Sequence, residues 1–445
     1  MKRSIILFAL FMVINHYHVM AQRGYSSASV TMNRANGVIS PNQVIVEEYL
    51  NYHLHRIGIP TNGKEIALSL DYTTSGDDEV ILQAGIATRQ LLDFSNMPPA
   101  NVSLVIDCSG SMQSDNKLGK VKKALHKFIT GLRSEDYISI VAYSSQATVI
   151  QPAVKAGEIS NIDSIIESLV PGGSTNLHEG LMFGYKEVQK NLLPNGTNKV
   201  VLLTDGIANR GVVDPEKIVS NSGAYNQEGI DVSTIGVGRN INYSLLQQIA
   251  RQGRGSNHFV GDHQEDIVKV FDTELESLIS IVAKQASLVL EYPKSISVED
   301  IYGYTPQYGE NTISIPLNNL NLGMTQVVLY KLKLENTNKR PLVKARLVYS
   351  DSKSGQQRTI SNKTSIAQGR KITNSEVLKN LYIAKMAQSL KDMATELNNR
   401  NPDAAKVILN EVLDDVDAVF PRLKDKDMLR VRDILVSNQK KLERI

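Results

Sequence analysis

The sequence is poor in the residues that build several common kinds of functional site. It holds one cysteine, Cys108, in 445 residues, which excludes an intramolecular disulfide, a thiolate zinc site and an iron–sulfur cluster. It has no tryptophan, and aromatic residues make up only 6% of the chain, so nothing indicates stacking platforms for bases or sugars. Acidic and basic residues nearly balance, at 46 against 49, which argues against a protein that binds nucleic acid through a strongly basic face.

What remains is the composition of an ordinary globular protein, with 42% hydrophobic and 21% charged residues. The first 21 residues have the order of a secretory leader, because Lys2 and Arg3 precede an apolar run over 5–14 and the segment ending at Ala21 suits cleavage. We therefore predict a signal peptide and export. An exported chain without disulfides is typical of a bacterial periplasm or cell exterior. No later run reaches the roughly 20 apolar residues that span a bilayer.

The hydrophobic periodicity changes twice along the chain. Between residues 99 and 283, short apolar strands alternate with amphipathic helices, which predicts a doubly wound, mainly parallel α/β sheet. Before residue 98 and again over 284–370, apolar residues recur at every second position, which predicts antiparallel strands. The early hairpin is too small to be stable alone. We therefore predict one antiparallel β-sandwich into which the α/β domain is inserted.

This periodicity divides the chain into six segments. In order, they are a signal peptide (1–21), a flexible lead-in (22–43), the N-terminal part of the sandwich (44–98), the α/β domain (99–283), the C-terminal part of the sandwich (284–370) and a helical segment (371–445). The N-terminal part is expected to begin with a short helix over 44–57, and the last helix of the α/β domain is expected over 266–283. The helical segment has no functional interpretation from sequence.

Polar side chains cluster at three points where predicted strands of the α/β domain end or adjoin a loop. Residues 107–111 (DCSGS) leave the first strand, residues 172–176 (GGSTN) precede the third helix, and residues 204–206 (TDG) leave a later strand. Open α/β sheets bind ligands at the carboxyl ends of their strands. Asp-x-Ser-x-Ser alone is weak evidence, because a helix N-cap uses the same residues. The three segments in the expected order and context make a strong signal.

These segments supply two carboxylates and three hydroxyls. Oxygen ligands of this kind select Mg²⁺, Mn²⁺ or Ca²⁺ over zinc and copper. Since only two of the groups are negatively charged, a bound dication keeps positive charge and accepts a further anionic oxygen. The candidate metal ligands are Asp107, Ser109, Ser111, Thr175 and Asp205. The expected cofactor is Mg²⁺, with Mn²⁺ or Ca²⁺ as alternatives.

The segments IDCSGSM, GGSTN and LLTDG resemble the metal-ion-dependent adhesion site of the von Willebrand factor A domain, in its Asp-x-Ser-Gly-Ser-Met branch. The resemblance covers the predicted α/β domain, and the flanking segments look like those of bacterial exported members. It implies a Rossmann-like fold in which the residues matching Ser109, Ser111 and Thr175 touch the metal. By the same resemblance, Asp107 and Asp205 hold the metal directly or through water, and a partner supplies a Glu or Asp oxygen.

Three other features carry less weight. His53 and His55 are predicted to be a solvated pair, because residues two apart on a helix point in different directions. His178 could border the metal, but a plain helix-start residue explains it equally well. Cys108 is expected to point into the sheet as a buried, inert thiol.

Together these features predict an exported, non-catalytic binding or adhesion protein that captures an acidic group of a protein partner through a divalent metal. They predict no nucleic-acid partner, no membrane span and no particular oligomeric state. Two alternatives stay open: a metal-dependent hydrolase that activates a water on the same ion, and a structural module that the metal stabilises. Against the hydrolase, the three segments hold no His, Lys or spare carboxylate placed as a general base.

Overall fold

The computed structural model describes residues 33, 40–61, 63–76, 78–90, 98–238, 241–260, 264–335, 340–367 and 371–444. The predicted signal peptide lies outside the described residues, as does the lead-in apart from Asn33 and 40–43. Among the residues that are described, no helix combines the length and the apolar character that crossing a membrane requires.

The elements fall into three groups along the chain. The first comprises α1 (Val46–Leu50), β1 (Ile66–Thr74) and β2 (Glu79–Thr88). The second comprises β3 (Ala100–Asp107), α2 (Lys117–Thr130), β4 (Tyr137–Tyr143), β5 (Ala147–Lys155), α3 (Ile162–Glu167), α4 (Leu177–Gln189), β6 (Thr197–Thr204), α5 (Pro215–Gln227), β7 (Asp231–Val237), α6 (Tyr243–Gln252), β8 (Arg254–Val260) and α7 (Gln264–Ile279). The third comprises β9 (Ile281–Glu291), β10 (Ile296–Ile301), β11 (Gln307–Gly309), β12 (Thr312–Pro316), β13 (Leu320–Asn321), β14 (Thr325–Leu334), β15 (Leu342–Asp351), β16 (Gln357–Ser365), α8 (Ser375–Asn398), α9 (Pro402–Val419) and α10 (Lys426–Leu442).

The second group forms one sheet with the strand order β5-β4-β3-β6-β7-β8. Its neighbouring strands are parallel except for the β4–β5 pair. On β3, Leu104 and Ile106 pack into the core on one face and Val105 into the core on the other, so helices cover both faces. The predicted doubly wound α/β fold is confirmed. Strands β3 and β6 lie side by side where the strand order reverses, which is the usual ligand-binding point of such sheets.

The other strands form two antiparallel sheets, ordered β1-β2-β14-β10 and β11-β12-β9-β15-β16, with β13 also paired to β9. Their facing sides share one hydrophobic core, in which Leu82 and Tyr330 of the first sheet pack with Leu288 and Leu347 of the second. Strand β2 pairs with β14 along its length, so the early hairpin and the late strands build one sandwich. The predicted insertion of the α/β domain into a β-sandwich is confirmed.

The C-terminal helices form a third layer on the sandwich. Along β14, Val328 and Tyr330 face the sandwich core, whereas Val327 and Leu329 belong to a separate core with α8, α9 and α10. Strand β14 is therefore buried on both sides. Helix α8 begins at a capped end, where the Asn374 side chain accepts hydrogen bonds from the first-turn backbone N–H groups.

Two predicted helix ends are wrong. The helix expected over 44–57 is limited to Val46–Leu50, because the Asn51 side chain donates to the Glu47 carbonyl and also bonds to the backbone of Val327 in β14. The helix expected over 266–283 ends at Ile279, and β9 starts at Ile281. Pairing with β13 and β15 draws this segment into the sheet, so the predicted boundary at residue 283 falls inside a strand.

Candidate metal site

The ends of β3 and β6 position the first carboxylate. Asp107 is the last residue of β3 and is fully buried. Its Oδ1 accepts a hydrogen bond from the Ser109 backbone N–H at 2.8 Å, and its Oδ2 accepts one from Thr204 Oγ1, at the end of β6, also at 2.8 Å. Burial raises the pKa of Asp107, and these hydrogen bonds oppose the rise. The carboxylate is thus held in one orientation by both strands.

The two serines and the second carboxylate form a chain of oxygen contacts. Ser109 Oγ lies 3.0 Å from Ser111 Oγ, and Ser111 Oγ donates to Asp205 Oδ1 at 2.7 Å. Asp205 directly follows β6 and is buried. Its other oxygen accepts a hydrogen bond from Lys117 Nζ, at the start of α2, at 2.8 Å. The structure therefore brings these three predicted residues into direct contact.

Two backbone hydrogen bonds join the loop after β3 to the loop before α4. The Gly110 N–H donates to the Gly173 carbonyl at 3.1 Å, and the Gly172 N–H donates to the Cys108 carbonyl at 2.8 Å. Gly173 has φ +79°, and a Cβ there would lie 2.6 Å from Ser145 Oγ. Only glycine suits that backbone conformation and that close approach.

Thr175 lies on this second loop, and its backbone is fixed by a hydrogen bond from its N–H to Asn209 Oδ1 at 2.8 Å. Gly206 lies close to the hydroxyl of Thr175. If Gly206 carried a Cβ atom, that atom would lie 3.5 Å from Thr175 Oγ1 and 3.8 Å from Ser111 Oγ. Both hydroxyls therefore face the same small space beside Gly206. All five predicted residues lie together at one edge of the sheet.

The spacing of these oxygens fits a small dication. Neighbouring ligands of an octahedral Mg²⁺ ion, each about 2.0–2.1 Å from the metal, lie about 2.9 Å apart. The Ser109–Ser111 and Ser111–Asp205 oxygen pairs are 3.0 and 2.7 Å apart. Two carboxylates and the Lys117 ammonium leave one net negative charge, which favours a cation.

Other residues near the site differ from the sequence-based picture. Lys117 was not predicted, because no local pattern links it to a carboxylate 88 residues away. His178 lies 2.9 Å from the Asn221 side chain through its Nε2. Cys108 is buried, as predicted, and burial raises its pKa to about 12, which makes its thiol a poor nucleophile.

The prediction of a solvated, helical pair at His53 and His55 is wrong. Both residues follow α1 in a non-helical segment, and they are only 7% and 3% exposed. The sequence carries no signal for this burial, which depends on β14 and α8.

Comparison with known proteins identifies the α/β domain. The model of the von Willebrand factor type A domain family matches residues 101–273. The chain contains a von Willebrand factor type A domain. A solved structure of a von Willebrand factor type A protein from Catenulispora acidiphila aligns over 83% of this chain and 96% of that chain, with a TM-score of 0.61 and 15% identity. This likeness concerns the fold alone, and because it covers 83% of the chain it extends beyond the von Willebrand factor A domain.

Two curated relatives show how far the sequence similarity extends. The Escherichia coli protein YfbK is 30% identical over 263 residues, which are 57% of this chain and 45% of that protein. Inter-alpha-trypsin inhibitor heavy chain H3 of Rattus norvegicus is 30% identical over 165 residues, 35% of this chain and 18% of that protein. The chain thus spans less than half the length of these relatives.

Proposed function

We propose that this chain is an exported, non-catalytic binding protein that captures an acidic group of a protein partner through a divalent cation. The cation is Mg²⁺ by preference, with Mn²⁺ or Ca²⁺ as alternatives, held by Asp107, Ser109, Ser111, Thr175 and Asp205. The observation that carries this proposal is the run of oxygen contacts from Ser109 through Ser111 to Asp205, at 3.0 and 2.7 Å. When bound, the cation supplies a positive charge and an exchangeable position that a partner's carboxylate oxygen can occupy.

The charges of the donor set explain why an anionic partner is favoured. Asp107 and Asp205 provide two negative charges, and the three hydroxyls provide none. Asp205 already shares its charge with Lys117, so the site does not fully neutralise a dication. Ser111 is an exposed residue, and it marks the side from which a partner approaches.

Exposed apolar side chains close in sequence to the site residues support a protein partner over a small anion. Ile207, two residues after Asp205, is 57% exposed, and Val170, two residues before Gly172, is 70% exposed. Exposed apolar residues beside a polar centre are typical of interaction surfaces. A protein-interaction or adhesion role is also what the von Willebrand factor A domain suggests. The leader-like residues 1–21 support export.

The proposal is tested by capture from an envelope extract with the immobilised full chain in Mg²⁺, followed by elution with EDTA. Asp107→Asn keeps the size of the side chain and removes its charge, so it should capture nothing that EDTA releases. The matched control is Asp163→Ala, which removes an exposed carboxylate on α3. The captured partner must then lose binding when its own Asp or Glu is changed to Asn or Gln. Capture that persists in EDTA, or with Asp107→Asn, refutes the proposal.

The hydrolase alternative has its own test. Esterase and phosphatase substrates are offered to the full chain in Mg²⁺ and in EDTA. Turnover that requires Mg²⁺ and disappears in Asp107→Asn would replace the binding function with an enzymatic one.

A further inference from the structure

A second cluster of ligand-type side chains lies where the segment after α1 meets the first turn of α8. One ligand atom each from His53, His55 and Glu376 lies within 4.8 Å of the other two. The two imidazole rings are 4.5 Å apart between centroids, while the intervening Leu54 is exposed. In this non-helical segment, the two histidines therefore point to the same side.

Two nitrogens of this cluster are buried without a hydrogen-bond partner: His53 Nε2 and His55 Nδ1. Buried polar side-chain atoms in proteins are nearly always bonded to protein, water or an ion. Two such atoms lie within one cluster, on side chains more than nine-tenths buried, and both are available to a bound water or ion.

Asn51 orients the ring of His55. The Val327 backbone N–H donates to Asn51 Oδ1 at 2.7 Å, which identifies that atom as the amide oxygen. His55 Nε2 lies 3.1 Å from the same oxygen, and in the tautomer that donates there Nδ1 carries the lone pair. The Asn380 side chain also lies beside this ring and acts on it as an acceptor. Histidines that bind metals are typically oriented by a hydrogen bond of this kind from their other nitrogen.

The charged groups around the cluster leave a net negative charge, which favours a cation. Lys379 pairs with Asp425 at 3.2 Å and with Asp427 at 2.9 Å, and Arg430 pairs with Asp427 at 3.2 Å. These four groups are the charges that face His53, and they cancel. Glu376 then leaves one net negative charge, with its Oε1 accepting a hydrogen bond from the Arg56 backbone N–H at 3.1 Å.

We propose that His53, His55 and Glu376 bind one transition-metal dication, of which Zn²⁺ is the best match. Two imidazole nitrogens and one carboxylate oxygen, with water as the fourth ligand, are a set typical of zinc, whereas Mg²⁺ and Ca²⁺ prefer oxygen alone. Ligand atoms of a tetrahedral zinc site lie about 3.3 Å apart, so the three side chains need to close by about 1.5 Å at most. Such an ion fastens the segment after α1 to α8, which lies more than 300 residues later.

The test uses Co²⁺, whose tetrahedral complexes absorb visible light, added to the metal-stripped full chain in the Asp107→Asn background. We expect one Co²⁺ per chain, displaced by one Zn²⁺, and an increase in the melting temperature with Zn²⁺. His53→Gln should abolish the absorption band. Glu376→Gln, which keeps the acceptor for the Arg56 N–H, should weaken binding at least tenfold. The matched control, His126→Gln, replaces a half-exposed histidine on α2 and should behave as the parent does.

Circular dichroism checks that each variant is folded. If His53→Gln does not fold, Glu376→Gln decides alone. A parent chain that gives no absorption band and retains no Zn²⁺ overturns the proposal, and so does binding that is equal in the parent and in Glu376→Gln.

Discussion

The two candidate metal sites of this chain differ in how their ligand atoms are occupied. At the edge of the α/β sheet, oxygen donors already bond to one another and to Lys117, from Ser109 through Ser111 to Asp205. In the cluster beside α8, the nitrogens His53 Nε2 and His55 Nδ1 have no hydrogen-bond partner. The first set selects hard cations and the second selects zinc-like cations. If both proposed sites bind metal, the chain discriminates between metals by where it places nitrogen.

A third carboxylate, that of Glu274, has its counter-charge supplied by the chain itself. Glu274 of α7 is fully buried and pairs with Lys199 of β6 at 2.9 Å and with His258 of β8. Burial alone would raise its pKa, but Lys199 and His258 more than reverse that effect and lower it to about 2. This carboxylate is paired within the core, whereas Asp107 and Asp205 belong to the candidate metal site.

The sharpest test of the comparison is a reciprocal pair of variants. Asp107→Asn should abolish Mg²⁺ binding and leave Zn²⁺ binding unchanged, whereas His53→Gln should abolish Zn²⁺ binding and leave Mg²⁺ binding unchanged. The reason is that the two sites share no residue. Titration calorimetry with each ion measures both effects, with Asp163→Ala and His126→Gln as controls. Loss of both ions in either variant would mean that the sites are not independent.

The next effect is on stability. Glu274→Gln leaves the buried Lys199 without its counter-charge, and we expect a loss of about 3 kcal/mol in the free energy of unfolding at pH 7. Because the folded pKa lies below the ordinary 4.5, the contribution is complete above about pH 4.5 and declines as the pH falls towards 2. Urea unfolding of parent and variant at pH 7, 5 and 3 measures it. If the difference in unfolding free energy between parent and variant stayed constant down to pH 3, this account would be contradicted.

A smaller effect separates partner binding from metal binding. Thr175→Ala removes one of five oxygen donors, on a loop separate from Ser109 and Ser111, so we expect Mg²⁺ affinity to fall by less than about threefold. Partner affinity should fall about tenfold, or about 1.4 kcal/mol, because we expect a bound anion to draw this loop towards the cation. Surface plasmon resonance in saturating Mg²⁺ measures it against Ser174→Ala. Unchanged partner affinity would refute the metal-bridged mechanism.

The smallest expected effect concerns the Lys117 ammonium, which donates a hydrogen bond to Asp205 at the oxygen site. Lys117→Met removes a positive charge 2.8 Å from Asp205 Oδ2, and we expect Mg²⁺ affinity to rise about threefold, since a partly exposed charge is screened by solvent. Lys123→Met, on the exposed side of the same helix, is the control in the same calorimetric titration. An affinity that does not rise would show that Lys117 does not compete with the cation.

The oxygen site could be predicted from sequence because its residues occupy short segments at strand ends. Asp107 and Thr204 become neighbours because β3 pairs with β6. The alternation of apolar strands and helices predicts only that both strands lie in one parallel sheet, with their carboxyl ends at the same edge. The positions of all five residues came from this rule together with the family resemblance. Their role as metal ligands remains a prediction.

The histidine cluster could not be predicted, because its geometry depends on distant parts of the chain. Asn51 ends α1 only because β14 offers it a backbone partner at Val327, and Glu376 is contributed by α8. The edge strand β5 was also not predicted from the sequence. Its residues show no alternation of buried and exposed positions, and Pro152 interrupts its apolar pattern.

The pairing of β2 with β14 also sets an order of events during synthesis. Ala87 lies opposite Thr325, so β2 must wait for about 240 further residues, or roughly 10–50 seconds of ribosomal elongation. The α/β domain is completed during that interval from contacts within its own segment. The first sheet of the sandwich cannot close before β14 is made, and until then the inner edge of β2 is a free strand edge, open to mispairing with other chains.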